Sequence, residues 1–90
     1  MPESVQETAR THLDHGRACL DRGKYDDAIA DYEKAIALDP KYALAYTIRA
    51  LTYESNGEVE RAIADFRKVL EIDSSDENAK NNLKRLGIAP

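Results

Sequence analysis

The stretch Gly23-Lys24-Tyr25-Asp26-Asp27-Ala28-Ile29-Ala30-Asp31-Tyr32-Glu33-Lys34 returns 34 residues later as Gly57-Glu58-Val59-Glu60-Arg61-Ala62-Ile63-Ala64-Asp65-Phe66-Arg67-Lys68. The glycines coincide, as do Ala28 with Ala62, Ile29 with Ile63 and Asp31 with Asp65, and the aromatic Tyr32 falls on Phe66. Further on, Leu38 meets Ile72 and Asp39 meets Asp73. Periods of this length mark supersecondary units that bury their apolar faces by stacking on one another.

The units read as helical. Glycine occurs only at Gly16, Gly23, Gly57 and Gly87, and proline only at Pro2, Pro40 and Pro90, so long segments are free of breakers. Ala, Leu, Lys, Glu and Arg fill those segments, without the apolar and polar alternation of strands. Five helices are expected, at about Val5 to Arg22, Tyr25 to Leu38, Tyr42 to Asn56, Val59 to Ile72 and Asp76 to Leu86. Ser4-x-x-Glu7 and Ser74-x-x-Glu77 have capping-box spacing at two of the starts. Asp26 and Asp27 suit the positive end of the second helix. Gly23, Gly57 and Gly87 suit helix stops, and Pro40 bars continuation of the second helix.

Ninety residues support one domain. Thirteen basic against seventeen acidic residues give a net charge of -4, which argues against nucleic acid as a partner. A charged fraction of 33% leaves no membrane span. The single Cys19 and the lack of a signal-like start favour a reducing cytoplasm.

With helix, glycine, helix repeating every 34 residues, the chain resembles the tetratricopeptide repeat family. In a first unit, residues 9–42, the family's small, aromatic and closing positions match Gly16, Ala28, Tyr32, Ala35 and Pro40. In a second, residues 43–76, they match Tyr46, Ala50, Tyr53, Ala62 and Phe66. The resemblance implies an all-α fold of antiparallel helix-turn-helix pairs, stacked as a short right-handed solenoid. A capping helix at 76–86 would complete a single domain spanning 1–90. The polar face of Asn78, Lys80, Asn81, Lys84 and Arg85 fits such a cap and points to a complete chain. His12, Cys19, His15, Arg49, Val69 and Ser74 depart from the family's preferences.

In the third helix, Ala43, Tyr46, Ala50 and Tyr53 share one packing face; in the fourth, Ala62, Ile63, Phe66, Val69 and Leu70 do. The other side of the third helix carries Leu44, Thr47, Ile48 and Leu51, an apolar surface that needs a partner. In the fold this sequence resembles, that side floors a concave groove. Arg10, Leu13, Asp14 and Arg17 would form one wall, and Asn78, Asn81, Asn82 and Arg85 the other. An apolar floor between polar walls suits a peptide or partner segment. The competing expectation is that the fifth helix folds over Leu44 and buries it. Some family members hold the acidic C-terminus of chaperones in a Lys, Asn and Arg clamp. The matching positions here offer Leu13, Arg17, Ile48, Asn78 and Asn82, of which only Arg17 serves an anion.

His12-x-x-His15-x-x-x-Cys19 lies within about 100° of one helix face and has the chemistry of a zinc or copper site. The same positions coincide with packing positions of the repeat, where His and Cys would be medium-sized core residues, and no fourth ligand stands out. No metal or cofactor is therefore expected. Asp26, Asp27, Asp31 and Glu33 have the spacing of solvated faces rather than acid-base pairs, and no phosphate-binding loop occurs. Two non-catalytic functions remain: an adaptor that captures another protein, and a self-associating unit, since arrays of this kind generally need about three repeats.

Overall fold

The computed structural model describes the backbone of residues 5–88 and the side chains of residues 8–88. It contains helices α1 (Val5–Asp21), α2 (Tyr25–Leu38), α3 (Ala43–Ser55), α4 (Val59–Ile72) and α5 (Glu77–Arg85), and no strand among the described residues. The Ser4-x-x-Glu7 cap lies outside the described residues. The other expected cap is corrected: Asp76, not Ser74, precedes α5, and its carboxylate accepts from the Ala79 amide at 2.8 Å. Ser74 stands two residues before that position, and Asp73 accepts instead from the Ser75 amide and hydroxyl in the turn.

The glycines close the helices in one geometry. Gly23 has φ +73° and Gly57 φ +79°, a region that a side chain makes costly. The Gly23 amide donates to the Leu20 carbonyl at 2.9 Å and the Lys24 amide to Cys19 at 2.9 Å. Gly57 to Glu54 at 3.0 Å and Glu58 to Tyr53 at 2.8 Å repeat the pattern. This pair of hydrogen bonds satisfies carbonyls that the helix end would leave unpaired. Each turn reverses the chain, so α1 lies against α2 and α3 against α4.

The core runs along the stack in three patches. Ala9, Leu13, Ala28, Tyr32, Ala35, Ala45 and Ile48 join α1, α2 and α3. Ala50, Tyr53, Ala62, Phe66 and Leu83 join α3, α4 and α5, and Tyr46, Val69 and Ala79 form a third patch beside them. The result is a flat body of 45 × 29 × 15 Å.

Small residues set the helix separations. A Cβ on Gly16 would lie 2.5 Å from Tyr32 Cε1 and 3.1 Å from the Ala28 carbonyl oxygen, so this position of α1 admits no side chain without movement of α2. Tyr32 is fully buried, and burial raises its phenol above the ordinary 10.0. Its hydroxyl makes no hydrogen bond among the described residues. Thr52 is nearby and lowers the phenol somewhat against the effect of burial, while its own hydroxyl donates to the Ile48 carbonyl at 2.8 Å.

Candidate functional site

Helix α3 presents three distinct faces. Tyr46, Ala50 and Tyr53 pack against Ala62, Phe66 and Val69 of α4. Ala45 and Ile48 are buried against α1 and α2, and Thr52 is fully enclosed on the same side. Between these faces, Leu44 and Leu51 stand 48% and 40% exposed, with Thr47 partly exposed beside them. The fifth helix does not cover this stripe.

Two of the expected groove residues move into the core. Ile48 is 9% exposed and packs with Leu13, itself 1% exposed, in the seam between α1 and α3. At 100° per residue, Ile48 lies only about 40° from Leu44 toward Ala45, which is enough to turn it from the open stripe into the seam. Leu13 is thus a packing residue rather than part of a wall. The floor reduces to Leu44, Thr47 and Leu51.

Arg10, Asp14 and Arg17 of α1 are exposed, and Arg10 approaches Asp14 at 4.0 Å. On α5, Asn78, Asn81 and Arg85 are exposed and Asn82 is partly so. Arg85 is engaged: its Nη1 and Nη2 donate to the Glu54 carboxylate at 2.6 and 2.7 Å, and Nη2 also donates to Asn82 Oδ1 at 2.9 Å. These bonds hold the Glu54 carboxyl below the ordinary carboxylate value of 4.5. A partner that sought the Arg85 charge would have to compete with Glu54.

A polar cluster missed in the sequence bridges each helix pair. In the second pair, Arg49 Nε and Nη2 donate to Asp65 Oδ2 and Oδ1 at 2.8 and 2.7 Å. The guanidinium also sits 5.6 Å from the ring centroids of both Tyr46 and Tyr53. The hydrogen bond to Asp65 raises the Arg49 pKa above its ordinary value, against the opposing effect of burial. In the first pair, at residues 34 positions earlier, His15 Nδ1 lies 2.5 Å from Asp31 Oδ2. Asp31 is 7% exposed and Asp65 5%, so the reading of Asp31 as a solvated carboxylate is corrected. His15 and His12 are not core residues either, with side chains 69% and 33% exposed, and Cys19 is only partly buried. The available signal was the repeated pairing of a polar residue on one helix with an aspartate 16 residues on.

A family model described as tetratricopeptide repeat matches residues 13–77. The chain belongs to the tetratricopeptide repeat family. Solved structures of similar fold include MamA, at TM-score 0.78 and 31% identity over 83% of this chain and 43% of that one. The second TPR of Spaghetti (RPAP3), bound to the HSP90 peptide SRMEEVD, gives TM-score 0.76 and 28% identity over 91% of this chain and 82% of that one. The tetratricopeptide repeat and J domain-containing co-chaperone DNJ1 of Fusarium oxysporum f. sp. lycopersici (strain 4287 / CBS 123668 / FGSC 9935 / NRRL 34936) is 38% identical over 78 residues, covering 87% of this chain and 14% of that protein. This chain spans less than a fifth of the length of the curated relatives it matches. The tetratricopeptide fold is a protein-interaction scaffold, and here no described helix is long and apolar enough to cross a membrane.

Proposed function

We propose that the chain is a non-catalytic adaptor whose units are the repeats at 9–42 and 43–76 and the helix at 76–86, and that it captures a segment of another protein, in the cytoplasm, along the open side of α3. The observation that carries this reading is the exposure of Leu44 and Leu51 on a helix whose other faces are packed. Two leucines alone are a modest anchor, so the neighbouring polar groups matter. Arg10, Asp14 and Arg17 on one side and Asn78 and Asn81 on the other offer a rim that orients a bound segment by hydrogen bonds, with Asn82 and Arg85 joining only where a partner displaces their bonds to each other and to Glu54.

The occupant favoured is a segment with apolar side chains at helical or extended spacing, rather than an acidic tail. The RPAP3 domain takes an acidic peptide. In this chain, the positions matching the anion clamp include the buried Leu13 and Ile48, and Arg17 is the exposed cation among them. The reading therefore expects SRMEEVD to bind at best weakly.

The test is an interaction pull-down with the chain and its Leu44→Asp/Leu51→Asp variant, together with mass by light scattering across micromolar concentrations. Both positions are exposed, so the variant keeps its fold, which circular dichroism verifies. A monomer that loses its partners on substitution supports the adaptor. A dimer that dissociates on substitution points instead to self-association through the same stripe, and unchanged partners would refute the groove.

A further inference from the structure

We propose that the α1–α2 face binds one zinc-class divalent cation through His15, Cys19 and Asp31, with solvent in the fourth position. The ligand atoms of His15, Cys19 and Asp31 all lie within 4.8 Å of one another. Cys19 Sγ is 3.9 Å from Asp31 Oδ2, and His12 Nδ1 is 4.0 Å from Asp31 Oδ1. Bond lengths of 2.0 to 2.3 Å around a tetrahedral zinc place its ligands about 3.3 to 3.7 Å apart. The Cys19 to Asp31 separation is therefore near that of a filled site, while His12 faces the other carboxylate oxygen and stands at the edge of the cluster. The His15 to Asp31 separation, 2.5 Å, opens when the ion takes the place of the proton between them. His15 is free to make that movement, its side chain being 69% exposed, while the buried Asp31 is the fixed post.

The comparison inside the chain gives the strongest argument. At the positions 34 residues on, His12, His15, Cys19 and Asp31 become Tyr46, Arg49, Tyr53 and Asp65. There, a permanent cation satisfies the buried carboxylate and two rings flank it. In the first pair the carboxylate is kept, and the guanidinium and both rings are replaced by side chains that ligate borderline and soft metals. A metal ion at this point would tie α1 to α2 as Arg49 ties α3 to α4.

Access agrees with this. The cleft beside His15, Cys19 and Asp31, of ≈ 370 Å³, is also lined by Arg22, Lys24, Asp27 and Lys34. A thiolate and a carboxylate neutralise a divalent ion, so the basic rim faces no net positive charge. A hard ion such as magnesium would find only one carboxylate among these side chains.

The test uses the full chain, reduced, titrated with cobalt(II) and then displaced by zinc. The expected result is a tetrahedral cobalt spectrum with thiolate charge transfer at one equivalent, and a higher unfolding temperature with zinc. Cys19→Ser should weaken binding by more than about 100-fold, since even the outer partners of a metal site are worth about 10- to 100-fold. The variant His12→Tyr/His15→Arg/Cys19→Tyr copies the chemistry of the second pair; it should stay folded and lose both effects. An octahedral cobalt spectrum, no thiolate band at stoichiometric metal, or affinity unchanged in either variant would overturn the proposal.

Discussion

Replacing Arg49 by alanine leaves Asp65 as a carboxylate with 5% exposure and neither of its two guanidinium hydrogen bonds. Breaking a buried ion pair from one side costs about 3 to 5 kcal/mol, because the surviving charge stays desolvated. The Arg49 side chain is 18% exposed, so water can partly replace it and the lower end applies, about 3 kcal/mol. Loss of its contacts with Tyr46 and Tyr53 adds about 0.5 to 1 kcal/mol. The sum, about 3.5 to 4 kcal/mol, corresponds to a fall of about 14 to 32 °C in the unfolding midpoint of a domain this size. Urea unfolding followed by circular dichroism measures it. A double-mutant cycle with Asp65→Ala should give a coupling of about 2 kcal/mol or more, because the double variant leaves no orphaned charge. A loss below about 1 kcal/mol for Arg49→Ala, or additive single losses, would refute the claim that this pair fastens α3 to α4.

Gly16→Ala should destabilise by about 1 to 2 kcal/mol in the same assay: overpacking costs about 1 to 3 kcal/mol, and the better helix propensity of alanine returns up to about 1. The enclosed Tyr32 ring cannot step aside, so a stabilised variant would show that the helices separate freely. Tyr32→Phe, which copies Phe66, should be neutral or stabilising by up to about 1 kcal/mol, since it removes a buried hydroxyl without a hydrogen bond among the described residues; urea midpoints of the two proteins decide. Arg85 depresses the Glu54 carboxyl below its unfolded value of 4.5, so the pair stabilises above that pH and its contribution disappears as pH falls through the folded value. Arg85→Ala should therefore lower stability at neutral pH, and the difference from the unchanged protein should shrink toward zero in acid.

The helices and their order were legible because their signals are local: a glycine that must adopt positive φ, a proline after α2, and small and aromatic residues at helical spacing. Tyr32, Phe66, Ala28 and Ala62 are buried as that spacing implies. The open side of α3 was only partly legible. The 40° between Leu44 and Ile48 means nothing until the direction of α1 is known, and that direction comes from tertiary packing. Asp31 and Asp65 were illegible for another reason. Each sits in a run rich in charged residues, and an aspartate held in an ion pair has the same local pattern as one that faces water. Only the register between paired helices distinguishes them, and that register depends on how closely Gly16 and Ala50 let the helices approach.

Each apolar patch joins helices that follow one another in the chain, and the turns between them are short. Bringing such neighbours together closes only small loops, so little chain entropy has to be lost before apolar contacts begin to form. Folding should then proceed on the microsecond to millisecond scale of chains rich in local contacts. It can begin at either helix pair, with Ala45 and Ile48 joining the two once both have formed.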